Sequence, residues 1–136
     1  MTVKSIRIFK NKVVKNKKGN LVKFISTKDK FFKKFGEIYF NEIKYKKQKG
    51  WIKHSKNTCL IQCVTGEVKF HLIDNKNKEK YYILKSNTGH VLKIPPGIWF
   101  SFTSLKQKSV VANMINSYHR DAESIKSKKI KKYLII

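Results

Sequence analysis

Two glycine-bounded segments constrain the fold of this chain more than any other feature: GWIKHSKNTCLIQCVTG (residues 50–66) and GHVLKIPPGIWFSF (residues 89–102). Each contains a pair of short apolar runs, and its polar residues fall where two strands would face a cavity. Pro95 and Gly97 predict a turn in the second segment, because proline presets φ and glycine adopts conformations that other residues avoid. Both segments therefore predict short paired strands that line a concave site.

Strand patterns continue on both sides of these segments. Residues Ile6–Val14 and Leu21–Ser26 flank an NKKGN turn and predict a first hairpin, and Glu37–Tyr45 alternates, with Tyr39 on the same face as Glu37. In all, about nine or ten short strands are separated by turn signals roughly every eight to twelve residues, which is the spacing of a sandwich or jelly roll. The sequence therefore predicts an all-β fold.

The length of 136 residues predicts one compact domain, residues 1–136, with a basic tail from about residue 121. The tail sequence SIKSKKIKKYLII fits either a short helix or an extended segment that pairs with another strand. The sequence has no N-terminal signal segment and no apolar run of about 20 residues. We therefore expect a soluble cytoplasmic protein with no membrane partner.

The charge of the chain is strongly positive, with 32 lysines and arginines against eight acidic residues and a formal net charge of +24. Only Arg7 and Arg120 are arginines, however, and the lysines are spread along the whole chain. Because arginine is the residue that binds phosphates and guanine edges with two hydrogen bonds, a lysine excess of this kind does not predict nucleic acid as a partner. The positive field would still speed the encounter with a phosphate-bearing small substrate.

The two cysteines, Cys59 and Cys63, fall on one predicted strand. At about 3.3 Å per residue they lie about 13 Å apart, which exceeds the roughly 7 Å limit for a disulfide. We expect free thiols in a reducing compartment, where they serve as small apolar residues of the barrel. A nucleophilic Cys59 is the alternative, although no carboxylate nearby in sequence would favour its thiolate.

The two opening segments resemble the two motifs of the cupin family, a small β-barrel. In the first motif, Ile52 and His54 take the two histidine positions, Cys59 takes the glutamate position and Gly66 closes the segment. In the second motif the proline and glycine are kept, and Phe100 stands where the third histidine would be. Since only His54 remains of the four metal-ligand positions of that family, we expect no bound metal and no cofactor.

A longer set of segments, GEIYF, KGWIKH, GEVKFHLID, IPPGIWFSF and SYHRDAE, resembles the cupin branch of sugar-nucleotide epimerases and isomerases related to dTDP-4-dehydrorhamnose 3,5-epimerase. The resemblance implies a cupin-type jelly-roll β-barrel, RmlC-like, in a single domain. Lys49 and Gly50 match the Arg-Gly pair that opens the RGLHxQ segment of that branch. Its base histidine falls at Ile52, its glutamine at His54 and its tyrosine acid near Ala112. The catalytic pair of the 3,5-epimerases is therefore not preserved.

Five residues form the candidate site at the open end of the predicted barrel. His54 is the candidate catalytic base, because imidazole titrates near neutral pH, and its alternative role is only to hydrogen-bond inside the barrel. Lys49, Tyr39, Trp99 and Asn113 are candidate substrate-binding residues. Lys49 would meet a diphosphate, and Trp99 would stack on a uracil or thymine base unless it belongs to the core.

Two functions of different classes are compatible with these residues. The resemblance implies a nucleotide-sugar epimerase or isomerase-like protein, acting on a dTDP- or UDP-4-keto sugar in surface polysaccharide biosynthesis. The alternative is a non-catalytic sugar- or nucleotide-binding cupin. Open sheet edges and apolar strand-like ends also predict a homodimer.

Overall fold

The computed structural model describes residues 2–118 and 124–126. Over these residues the chain forms one short 3₁₀ helix, Val3–Ser5, and twelve β-strands. The strands are β1 (Arg7–Lys10), β2 (Val13–Val14), β3 (Leu21–Val22), β4 (Glu37–Lys44), β5 (Gln48–His54), β6 (Cys59–Thr65), β7 (Glu67–Ile73), β8 (Glu79–Lys85), β9 (His90–Ile94), β10 (Trp99–Ser104), β11 (Lys108–Ile115) and β12 (Ser124–Lys126). The all-β fold predicted from the turn spacing is confirmed. No helix in the described parts of the chain has the length and apolar character needed to cross a membrane.

Two five-stranded sheets make up the body of the molecule. Sheet I has the strand order β1-β9-β6-β11-β4, and sheet II has the order β12-β5-β10-β7-β8, while β2 and β3 form a separate hairpin. Neighbouring strands in both sheets run antiparallel. Strands that are distant in sequence lie side by side, as β1 and β9 do, which is the connectivity of the predicted jelly roll.

The core lies between the inner faces of the two sheets. In β6 the alternate residues Cys59, Ile61 and Cys63 are buried against this core, as the period of two in a strand requires. Sheet II contributes the other half of the cluster from β7 and β10, with buried aliphatic and aromatic side chains that include Phe70, Leu72, Phe100 and Phe102. A second cluster on the outer face of sheet I packs Phe31 over Leu60, Val91 and Met114.

The first predicted hairpin is only partly present. β2 and β3 do pair across the NKKGN turn, but β1 leaves the hairpin and joins the edge of sheet I, where it pairs with β9. The reason is burial. Ile6 is 1% exposed and Ile8 packs against the main core, whereas a two-stranded hairpin is too small to bury such side chains. The strand predicted as Ile6–Val14 is therefore divided between two sheets.

The sequence of the tail fitted either a helix or a strand, and its described residues form a strand. Ser124, Ile125 and Lys126 form β12, which pairs with His54, Lys53 and Ile52 of β5. These residues are extended. The rest of the predicted basic tail lies outside the described residues.

The turn between β6 and β7 depends on Gly66. Its φ is +89°, a region that residues with a Cβ atom rarely adopt, and a Cβ atom there would collide with the Ser109 hydroxyl and come within 2.9 Å of the Lys108 carbonyl oxygen. The Ser109 hydroxyl also accepts a hydrogen bond from the Glu67 backbone N–H at 3.0 Å. A side chain at this position would therefore displace a buried hydrogen-bond partner of the turn.

We predict that Gly66→Ala lowers the free energy of unfolding by about 2–4 kcal/mol, the sum of the positive-φ cost and the steric displacement of Ser109. Gly19→Ala is the matched control, since Gly19 also has a positive φ of +133° but a Cβ atom added there would have no other atom within 4 Å. The control should lose only about 1–2 kcal/mol. Urea unfolding of both variants measures the difference, and equal losses would contradict the packing argument.

Candidate functional site

A cavity lies inside the barrel, between the inner faces of the two sheets. Its volume is about 760 Å³, within the usual range for small-molecule sites. Hydrogen-bonding and charged side chains line part of it: Glu37, Tyr39, Asn41, Lys49, His54, Asn113 and Lys126. Apolar side chains line the rest, among them Ile52, Ile61, Phe70, Phe100, Phe102 and Val111. We refer to this space as the barrel cavity.

The polar wall of the barrel cavity is built by β4 and β11 of sheet I. Tyr39 and Asn113 are directly paired across these strands, and the Asn113 Nδ2 group donates a hydrogen bond to the Tyr39 hydroxyl oxygen at 3.1 Å. Asn113 is 6% exposed, and its Oδ1 atom has no hydrogen-bond partner among the described residues. Because buried polar atoms are almost always paired, this acceptor is available to a donor group of a ligand.

The opposite wall is aromatic and belongs to sheet II. The rings of Phe70 and Phe102 stack with centroids 5.3 Å apart, and Phe100 continues the row at 6.2 Å from Phe102. Such faces bind flat bases and the apolar faces of sugar rings. A ligand in the barrel cavity therefore meets hydrogen-bonding groups on one side and aromatic rings on the other.

His54 stands at the end of β5 and joins the aromatic row. Its ring stacks on Phe100 at 6.2 Å, the side chain is 3% exposed, and its backbone carbonyl accepts a hydrogen bond from Gly97 N–H at 2.8 Å. The turn predicted at Pro95 to Gly97 thus fixes the strand end that carries the imidazole. A buried imidazole in a ligand-sized cavity can serve as a general base toward a bound ligand.

Lys49 reaches the barrel cavity from the start of the same strand. Its Nζ atom donates hydrogen bonds to Asn41 Oδ1 and, at 3.2 Å, to the Glu42 carbonyl oxygen. The next residue, Gly50, has a φ of +108°, and a Cβ atom there would lie 2.7 Å from the Phe100 carbonyl oxygen. The Lys-Gly pair therefore lets β5 approach β10 closely while holding one ammonium group at the cavity.

Four of the five residues predicted from the sequence line the barrel cavity: His54, Lys49, Tyr39 and Asn113. Trp99 does not. Successive residues of a strand point to opposite faces, so Phe100 points inward and Trp99 outward, where the Lys53 ammonium lies 4.9 Å from its ring centroid. The prediction that Trp99 stacks on a base inside the barrel is corrected, and the aromatic surface there comes from Phe70, Phe100 and Phe102.

Three polar residues that line the cavity were not among the predicted site residues. Glu37 and Asn41 lie two residues on either side of Tyr39, and the alternation of β4 alone would have placed them on the same inward face. Lys126 comes from β12. No local pattern in the tail indicates that pairing, because it joins residues 70 or more positions apart.

No group of three or more histidine, cysteine, aspartate or glutamate residues lies close enough to hold a metal ion in the parts of the chain that the structure describes. Ile52 and Phe100, at two of the cupin ligand positions, line the cavity beside His54 with hydrocarbon. That the protein binds no metal stays a prediction.

The two sheets and the cavity between them define an RmlC-like cupin jelly roll. The family model described as FdtA: WxcM-like, C-terminal matches residues 2–134, and the chain belongs to this family. No curated protein sequence matches the chain significantly.

Solved structures of sugar-nucleotide enzymes have the same fold. The dTDP sugar isomerase from Desulfovibrio desulfuricans G20 is 24% identical, with a TM-score of 0.90 over 98% of this chain and 90% of that one. QdtA, a sugar 3,4-ketoisomerase from Thermoanaerobacterium thermosaccharolyticum in complex with TDP, is 19% identical, with a TM-score of 0.82 over 97% and 99%. RmlC from Legionella pneumophila, in complex with dTDP-4-keto-L-rhamnose, is 16% identical, with a TM-score of 0.83 over 100% and 79%.

The two cysteines are buried within the core as thiols that form no disulfide, as predicted. Burial raises the pKa of Cys63 to about 11, and the nearby Glu67 carboxylate adds to the rise. A raised pKa leaves very little thiolate at neutral pH, and the thiolate is the reactive form. Cys63 therefore serves as a packing residue.

We predict that both thiols react with iodoacetamide at pH 7.5 about 10²-fold or more slowly in the folded protein than in urea. Quenched labelling followed by mass spectrometry measures the two rates. Cys63→Ala reports Cys59 alone, so the two sites can be separated. Stoichiometric labelling of the folded protein within minutes would contradict the assignment of the cysteines as packing residues and would support a nucleophilic role.

Proposed function

We propose that this protein is a nucleotide-sugar isomerase that shifts the ketone of a dTDP-linked 4-keto sugar, a reaction of the 3,4-ketoisomerase type. The observation that carries the proposal is the barrel cavity, which brings a buried imidazole, a hydrogen-bonding wall and an aromatic wall together around one ligand-sized space. Family membership supports it. The ligands of two structural neighbours also support the proposal: TDP in QdtA, and dTDP-4-keto-L-rhamnose in RmlC of Legionella pneumophila.

The chemistry needs one group that moves a proton between two adjacent carbons. His54 would remove the proton from C3, next to the C4 ketone, and the resulting enediol would receive that proton back at C4. The C3 hydroxyl loses its proton and becomes the ketone. The former ketone oxygen, O4, takes up a proton and becomes a hydroxyl. The hydroxyl of Tyr39 and the amide of Asn113 line the facing wall, where they would stabilise charge on these oxygens.

A ketone shift suits this cavity better than 3,5-epimerisation. C3 and C4 are bonded to each other, so a single imidazole can reach both, whereas 3,5-epimerisation acts on two carbons on either side of the ketone. The residues that match the 3,5-epimerase pair are Ile52, which lines the cavity, and Ala112, which is buried. Neither side chain can exchange a proton.

A non-catalytic nucleotide-sugar-binding cupin is the second candidate. The observation that favours it is that Ile52 and Phe100, which line the cavity beside His54, are hydrocarbon side chains. They stand at positions where metal-binding cupins have histidines, so His54 is the one histidine kept at these positions. Either protein would act in surface polysaccharide biosynthesis, and its free buried thiols suit the reducing cytoplasm.

We predict that His54→Gln lowers the rate of isomerisation by about 10² to 10⁴, the usual contribution of a general base, while the fold stays intact. The substrate is TDP-4-keto-6-deoxyglucose, which a variant of QdtA holds in its crystal structure. NMR in D₂O measures deuterium entry at C3 and C4. His90→Gln is the matched control, since His90 does not line the cavity.

The outcomes of this experiment separate the two candidates. Deuterium entry that His54→Gln abolishes supports the isomerase. Binding of the sugar nucleotide without exchange by the unaltered protein would favour the binding protein, and unchanged exchange in His54→Gln would remove His54 from the mechanism.

We also propose a homodimer, built through the free edge of sheet I. β4 is the edge strand, and its outward residues Ile38 and Phe40 are 45% and 69% exposed, which is a liability for a lone chain. Phe40→Lys should weaken the association without touching the inward residues of β4.

Light scattering at micromolar concentration should give twice the 16.0 kDa of one chain for the unaltered protein and a lower mass for Phe40→Lys. Lys44→Ala, at the end of the same strand, is the control and should keep the dimer mass. A single-chain mass for the unaltered protein would contradict the proposal.

A further inference from the structure

One described residue of the basic tail, Lys126, lines the barrel cavity. β12 lies at the edge of sheet II, and its Lys126 pairs directly with Ile52 of β5. Residues that face each other across two strands project from the same face of the sheet. Because Ile52 lines the barrel cavity, Lys126 does so as well. The segment that the sequence marked only as a lysine-rich tail therefore contributes a wall of the site.

The positive charge of the barrel cavity comes from two lysines among the residues that the structure describes. Lys49 and Lys126 line it, and both are attached to the same stretch of β5, Lys49 within the strand and Lys126 across from Ile52. Lys53, the residue after Ile52, points outward to the ring of Trp99. Two ammonium groups from different parts of the chain thus reach one cavity, while a neighbouring lysine is turned away from it.

Two cations suit the diphosphate of a sugar nucleotide. Each of its two phosphates carries a negative charge, and lysine binds phosphate as a point charge with rotatable N–H donors. Among the described residues that line the cavity, Lys49 by itself would leave one phosphate without a cation. Lys126 supplies a second one on the same side of the cavity, opposite the polar wall of sheet I.

We propose that Lys126 is a second diphosphate-binding residue, and that β12 acts as the strand that brings it to the nucleotide. This inference rests on the proposed function, because it names a subsite of the same cavity. Lys126 is an exposed residue, so its side chain is accessible to a ligand. Nucleotide binding should in turn hold β12 against β5.

The test compares dTDP with thymidine by isothermal titration calorimetry. Lys126→Ala should weaken dTDP binding about tenfold, roughly the value of one charge-assisted contact, and should leave thymidine binding unchanged. The loss should shrink at high salt, and Lys126→Arg should restore most of the affinity. Lys53→Ala is the matched control, because it removes the same charge from the same strand pair outside the cavity.

Hydrogen exchange gives a second readout. If Lys126 binds the diphosphate, dTDP should slow the exchange of β5 backbone amides that pair with β12 in the unaltered protein, and should do so less in Lys126→Ala. A structural role for Lys126 would lower protection with and without nucleotide alike.

The possible results are distinguishable. A loss of dTDP affinity in Lys126→Ala that Lys53→Ala does not show supports the inference. Equal losses of dTDP affinity in both variants, or an equal loss of thymidine affinity in Lys126→Ala, would overturn the inference while leaving the proposed function in place. Failure of the unaltered protein to bind dTDP would contradict the proposed function itself, and the inference with it.

Discussion

The alternation of side chains along the β-strands is the constraint on which the site depends. On β4 it turns Glu37, Tyr39 and Asn41 toward the barrel cavity, and the facing register on β11 sets Asn113 beside Tyr39. On sheet II the same rule turns aromatic rings inward. A shift of one residue in either strand would exchange polar for apolar groups in the cavity, so strand register and ligand recognition are specified together.

The chemistry of the cavity follows from what surrounds the one imidazole. His54 stacks on Phe100, and Ile52 lies two residues before it on the same face of β5, so hydrocarbon occupies positions that hold ligands in metal-binding cupins. In the proposed function, the single side chain of His54 would carry out the proton transfer, on a substrate that supplies an acidic C–H group next to a ketone. In the proposed reaction, the facing pair of Asn113 and Tyr39 would supply hydrogen-bonding groups for the substrate oxygens.

Much of the fold and site could be predicted from local patterns, because turns and alternation are local properties. The turn spacing predicted the all-β fold, and the motif spacing predicted that His54 and Lys49 lie at one candidate site, although not that they share β5. The Trp99 prediction failed by one position, since adjacent aromatic residues look alike in sequence and only strand register decides which points inward. The pairing of β1 with β9 and the place of Lys126 at the cavity were missed, because these strands pair with partners far away in the chain.

The central claim is that a dTDP-linked keto sugar binds in the barrel cavity with its reacting carbons beside His54. A crystal structure of His54→Gln with TDP-4-keto-6-deoxyglucose tests it most directly, because the inactive variant would hold the substrate unreacted. We expect the sugar between the polar wall and the aromatic wall, with C3 and C4 within about 4 Å of the residue at position 54. A ligand bound outside the barrel, or a sugar whose C3 and C4 point away from that residue, would contradict the account.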